Sequence, residues 1–87
     1  MDAPLPTRRD LREMYGSGLW REVRALVLFV KGRVCAFCGE RNGPFHVDHI
    51  VPARISWAAR FELWNLQVLC RRCHVKHKKR EEIREWR

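Results

Sequence analysis

Two Cys-x-x-Cys motifs constrain the folding of this chain more than any other feature of its sequence. Cys35 and Cys38 form the first motif, and Cys70 and Cys73 form the second. Four thiolates at this spacing can close a tetrahedral zinc site, and a site with four cysteine ligands is coordinatively closed and therefore structural. Residues 39–69 must then form structure of their own, because one metal ion would tie both ends of this segment together.

The length of the chain also favours a metal site. With 87 residues it is expected to form one domain, and a domain of this size usually needs a metal or disulfides for stability. Disulfides are the alternative reading of the cysteines. However, no signal peptide is visible and the apolar run 27–30 is too short to span a bilayer. We therefore predict a cytoplasmic protein, in which paired motifs of this kind favour metal over disulfides.

The secondary structure predicted from the sequence is α+β, from an alternation of helical periodicity, glycine and proline breaks and a short strand pattern. We expect a single domain over residues 1–87 with a core from about 19 to 84 and a loose N-terminal extension over 1–14. The predicted elements are a short helical segment from Thr7 to Tyr15, a helix from about Leu19 to Val30 ended by Gly32, a strand at Phe45–Ile50, a short helix or turn within Ile55–Leu63, and a helix from about Arg72 to Arg87. Trp57, Phe61 and Trp64 are expected in the core.

The charge of the chain is strongly positive and unevenly distributed. The formal net charge is +8, and residues 71–87 hold eight Lys or Arg against three Glu. A basic terminal helix beside a nearly neutral core is typical of a protein that binds a polyanion. The alternative is a solvated charged face that keeps a small protein soluble. The candidate phosphate contacts are Lys76, Lys78, Lys79 and Arg80.

Between and beside the cysteines lie polar residues with catalytic potential. His49 has a side chain suited to accepting a proton from water near neutral pH. Asp48 offers a hard oxygen ligand for Mg²⁺ or Mn²⁺. An ideal strand would point these neighbours to opposite faces, so both can serve one site only if the strand bends or ends there. Read alone, Asp48 and His49 are more simply a surface carboxylate beside a half-buried histidine, Asn65 a turn residue, and His74 a polar residue at a helix start.

Taken together, these residues resemble the HNH endonuclease family. The resemblance is carried by the two cysteine motifs, Asp48-His49-Ile50-Val51-Pro52 and Asn65-Leu66-Gln67-Val68-Leu69, with His74 directly after the second motif. The zinc-stapled, phage-type branch is the most similar, and the segment from Tyr15 to Arg24 also resembles the sequence that leads into that branch. The resemblance covers roughly residues 15–80.

The resemblance implies a ββα-metal fold, two short antiparallel strands and a helix around one divalent ion. It implies that His49 is the general base, that Asp48 and His74 bind the catalytic ion, and that Asn65 orients the loop and the base. His77 departs from a common family pattern and is left as a third metal ligand, a phosphate contact or neither. His46 lies on the strand face of Asp48 at the edge of the site.

The function implied is a metal-dependent DNA endonuclease that nicks as a monomer and gives 5′-phosphate ends. A lone domain of this size is similar to phage proteins that work with the terminase in DNA packaging. The alternative function is a non-catalytic zinc module that binds nucleic acid. A structural interaction protein using its four tryptophans is a third reading.

Overall fold

A two-stranded antiparallel hairpin organises the part of the chain that the computed structural model describes, residues 5–83. Strand β1 (Phe45–His49) pairs with strand β2 (Leu66–Cys70), with Phe45 opposite Cys70 and His49 opposite Leu66. Three helices accompany the hairpin in the described residues: α1 (Arg8–Tyr15), α2 (Gly18–Lys31) and α3 (Arg71–Ile83). Short 3-10 turns at Trp57–Ala59 and Leu63–Asn65 lie in the segment between the strands. The predicted α+β class is confirmed.

The hydrophobic core lies between α2 and one face of the hairpin. Alternate residues of a strand point to opposite faces, so Phe45 and Val47 of β1 pack against α2 while His46 and Asp48 face α3. The buried core cluster is completed by residues from α2 and β2: Trp20, Val27, Leu28, Leu66 and Val68. One face of the hairpin therefore supplies most of the packing, and the other presents polar side chains to α3.

The short helical segment predicted from Thr7 to Tyr15 is confirmed and forms α1. It belongs to the folded part of the chain and is not a loose extension, since Met14 is buried. Thr7 accepts a hydrogen bond from the Asp10 amide and the Asp10 carboxylate accepts one from the Thr7 amide, a reciprocal cap that satisfies two amides at the helix start. The structured region thus begins well before residue 19. Residues 1–4 of the predicted extension lie outside the described residues.

The second helix ends where the sequence predicts, and it is buried on one side only. It stops at Lys31, and Gly32 follows with a φ of +83°, a conformation that strongly favours glycine. Among the apolar residues of its last turns, Val27 and Leu28 are buried, whereas Leu26, Phe29 and Val30 are exposed. The hairpin is only two strands wide, so it covers one side of this helix alone.

The structure decides two other predictions, on the aromatic residues between the strands and on the basic helix. Phe61 packs against the core as predicted, whereas Trp64 is 63% exposed, so its assignment to the core was wrong. The basic helix predicted over 72–87 is present as α3 from Arg71 to Ile83, and its last four residues lie outside the described part of the chain. Among the described residues, no helix combines the length and apolarity needed to cross a membrane.

Candidate active site and cysteine cluster

The four cysteines converge at one end of the hairpin. Cys35 and Cys38 lie in the loop after α2, Cys70 ends β2 and Cys73 lies in the first turn of α3. Their sulfur atoms all lie within 4.8 Å of one another, and the Cys38 and Cys70 sulfurs are 3.7 Å apart. Sulfurs bound at about 2.3 Å in a zinc tetrahedron would be separated by about 3.8 Å. The donor set and its spacing therefore fit zinc.

The shifted pKa values of the cysteine cluster also favour a bound metal ion. Burial raises the pKa of Cys35, but hydrogen bonds from the backbone of Cys70, Cys38 and Phe37 outweigh burial and lower it to about 6. Burial and the neighbouring thiols raise the pKa of Cys73 to about 12. Once Cys35 is ionised, its charge repels a second thiolate in the same small volume and contributes to the raised pKa of Cys73. A dication would relieve this repulsion.

A second candidate site lies on the α3 face of β1, around Asp48. This carboxylate is 3% exposed. One oxygen, Oδ2, accepts a hydrogen bond from Nδ1 of His74 at 3.0 Å, while Oδ1 accepts the His49 amide at 3.0 Å and lies 3.7 Å from the ammonium of Lys78. Two adjacent ligands at about 2.1 Å in an octahedral site would be about 3.0 Å apart. The carboxylate and imidazole thus fit adjacent positions around a hard divalent ion.

His49 is held on several sides at the end of β1. The residue is 2% exposed, and the Trp20 ring stacks on its imidazole with ring centroids 5.3 Å apart. Nε2 lies 2.9 Å from the Arg60 carbonyl oxygen, which can only accept, so Nε2 carries the proton of the neutral ring. Nδ1 is then the basic nitrogen, and the Tyr15 hydroxyl lies 3.4 Å from it. Burial, as the largest cause, lowers the pKa of His49 and favours the neutral form that a general base needs.

Asn65 ties the segment between the strands to the end of the hairpin. Its side chain is fully buried; Oδ1 accepts the Val51 amide at 2.7 Å, and Nδ2 donates to the carbonyls of Val51 and Ala59, each at 3.1 Å. Ala59 directly precedes Arg60, whose carbonyl orients the His49 ring. Asn65 therefore acts on His49 indirectly, through the backbone that it holds.

The remaining histidines lie near Asp48 without completing a compact ligand group. Nε2 of His77 donates to the His49 carbonyl at 3.0 Å. The His46 ring stacks on the His74 ring with centroids 4.4 Å apart, which restricts the orientation of His74. Within residues 5–80, the four cysteines are the only group of three or more His, Cys, Asp or Glu residues that could hold a metal ion. In this conformation His77 supports backbone geometry at the site.

A shallow cleft of about 170 Å³ gives access to Asp48 and His49. These neighbours leave β1 on opposite faces, yet both border the cleft because β1 ends at His49. Tyr15, Pro52 and Lys78 also line it. The predicted phosphate contacts of α3 are all exposed: Lys76, Lys78, Lys79 and Arg80. The cleft thus places a base, a potential metal ligand and a cation side by side.

Three contributors to the site were not predicted as site residues. Tyr15 and Trp20 contact the His49 ring, and Arg60 contributes a backbone carbonyl. Tyr15 and Trp20 belong to the segment from Tyr15 to Arg24, which resembles the sequence preceding the motifs in the phage-type branch of the family. That resemblance was the signal that could have indicated them. The contribution of Arg60 could not be predicted from its residue type, because every residue carries a backbone carbonyl.

Comparisons with known proteins identify a family model and a solved structure to which this chain is similar. The sequence model of the HNH endonuclease family matches residues 34–80. A solved structure, the HNH endonuclease of the deep-sea thermophilic bacteriophage GVE2 with manganese ion, is 30% identical in sequence and superposes with a TM-score of 0.80. The match covers 90% of this chain and 88% of that one. No protein among those with a curated description matches the chain.

Proposed function

Because the chain belongs to the HNH endonuclease family, whose members hydrolyse phosphodiester bonds in DNA, we propose that His49 is its general base. The observation that carries the proposal is the arrangement of the His49 ring. Its protonated nitrogen is engaged by a backbone carbonyl, and its basic nitrogen is directed toward the Tyr15 side of the cleft. A neutral imidazole held in this way can accept a proton from water without first changing tautomer.

In this proposal Asp48 and His74 hold the catalytic divalent ion. Their 3.0 Å spacing suits adjacent ligands, and manganese accompanies the phage GVE2 enzyme in its crystal structure. When bound, Mg²⁺ or Mn²⁺ would stabilise charge on the phosphate and on the leaving oxygen. His46 would keep the His74 ring in a ligating orientation by stacking on it. Zinc at the four cysteines would serve as the structural staple.

We assign DNA binding to the exposed cations of α3. Contacts of lysine and arginine with phosphates give affinity that depends on salt and little on base sequence. The side chains proposed for these contacts are Lys76, Lys78, Lys79 and Arg80. One such site cuts one strand, so a monomer is expected to nick. A role beside a phage terminase in the host cytoplasm is proposed from the resemblance to phage proteins alone.

The test is cleavage of supercoiled plasmid by zinc-loaded protein with Mg²⁺, Mn²⁺ or no added divalent ion. Nicking by the wild type should require the added ion. His49→Ala should lose at least about a hundredfold in rate, the usual contribution of a general base, with DNA binding retained. Asn42→Ala, a change at an exposed turn residue, is the matched control and should cleave normally. A folded wild type that binds DNA but never cuts it would support the zinc-module alternative instead.

A further inference from the structure

The N-terminal helices reach the candidate base from outside the segment that the family model matches. That match starts at residue 34, whereas Tyr15 ends α1 and Trp20 lies in the first turn of α2. The Trp20 ring covers one face of the His49 imidazole at an interplanar angle of 18°. The Tyr15 ring meets Trp20 edge-on at 5.3 Å and His49 edge-on at 6.1 Å. The two aromatic residues therefore restrict the orientation of the His49 ring, and with it the direction in which Nδ1 faces the cleft.

The Tyr15 hydroxyl lies where it can influence a water molecule at Nδ1. Its oxygen is 3.4 Å from Nδ1, longer than an ordinary hydrogen bond of about 2.8 Å from a hydroxyl. The direct contact is therefore weak. A water molecule can lie about 2.8 Å from both atoms, because the two are much closer than the sum of two such distances. Tyr15 and His49 both line the cleft from which that water would enter.

We propose that Tyr15 is a positioning residue whose hydroxyl holds the attacking water against Nδ1 of His49. This inference rests on the proposed nuclease function. The water donates one hydrogen bond to Nδ1 and accepts one from the Tyr15 hydroxyl. As the water oxygen forms its bond to phosphorus, its proton moves to Nδ1 and the bond from phosphorus to the leaving 3′ oxygen breaks. Tyr15 keeps its own proton throughout, and the imidazolium formed keeps its Nε2 hydrogen bond to the Arg60 carbonyl.

The packing allows the hydroxyl to be tested apart from the ring. Tyr15 is 43% exposed, and its ring contacts with Trp20 and His49 do not involve the oxygen. Tyr15→Phe should therefore fold like the wild type and keep the aromatic packing. A role limited to the packing of the Tyr15 ring would be preserved in this variant, whereas positioning of water would be lost.

The experiment measures kcat and KM for nicking of a DNA duplex at saturating Mn²⁺. Tyr15→Phe should lower kcat by about tenfold, the effect of one lost hydrogen bond in the reacting state, with KM changed less than about twofold. Glu13→Gln, an exposed change on the same helix, is the matched control and should behave like the wild type. Thermal unfolding of each protein, followed by circular dichroism, verifies that all are folded.

The outcomes separate this inference from the proposed function. An active wild type with an equally active Tyr15→Phe variant would overturn the positioning role and leave the nuclease assignment intact. A rise in KM without a fall in kcat would also overturn it, because Tyr15 would then contribute to DNA binding instead. A wild type that does not cleave would overturn the proposed function itself, and the role of Tyr15 with it.

Discussion

Replacement of Asn65 by alanine should destabilise this protein strongly although the residue is outside the hydrophobic core cluster. The Asn65 side chain makes three hydrogen bonds to backbone groups of Val51 and Ala59, and it is fully buried. Each such bond contributes about 1 kcal/mol, and a buried backbone group left without a partner costs about 1–3 kcal/mol. We expect a loss of about 3–5 kcal/mol in the free energy of unfolding, a large share of the roughly 5–15 kcal/mol typical of a domain.

The measurement is urea unfolding followed by tryptophan fluorescence at saturating zinc, so that metal binding contributes equally to each protein. Asn42→Ala makes the same chemical change at an exposed turn and should shift stability by less than about 0.5 kcal/mol. Because Asn65 anchors the backbone beside Arg60, cleavage should fall as well, even at urea concentrations where the variant remains folded. If Asn65→Ala lies within about 1 kcal/mol of the wild type, the reasoning from its hydrogen bonds is wrong.

Two further predictions concern zinc and pH. Removal of zinc by a chelator should unfold the domain cooperatively, since structural zinc sites contribute on the order of 10 kcal/mol to folding, and circular dichroism should change in step with zinc release; retained helicity after complete release would refute this. Because burial lowers the pKa of His49 from 6.5 and the neutral ring is the active form, kcat should stay high as pH falls to 6.5 and decline only below it. A divalent cation at Asp48 would move that decline further in the same direction, so a half-maximal rate at or above pH 6.5 would contradict the assignment.

The sequence predicted several local elements because their signals are local. A reciprocal cap depends on residue types three positions apart, so Thr7 and Asp10 indicated the start of α1. Gly32 marked the end of α2 because its positive φ favours a residue without a side chain. The burial of Trp64 could not be judged in this way. Trp64 is exposed because the segment between the strands packs on the hairpin through other residues, and this packing is a property of the tertiary structure.

The sequence by itself determined the two cysteine motifs, the order of the candidate catalytic residues and the resemblance to the family. Cysteine pairs at fixed spacing restrict the chain to few arrangements, and a motif keeps its chemistry whatever surrounds it. Only the tertiary structure decided how Asp48 and His49 share a cleft, because that depends on where β1 ends. It likewise brought Tyr15 and the Arg60 carbonyl into contact with His49. Tyr15 lies 34 positions from His49 in the chain, and Arg60 lies 11 positions from it. Such contacts follow from the packing of α1 and of the segment between the strands against the end of the hairpin, and no local pattern of residues encodes them.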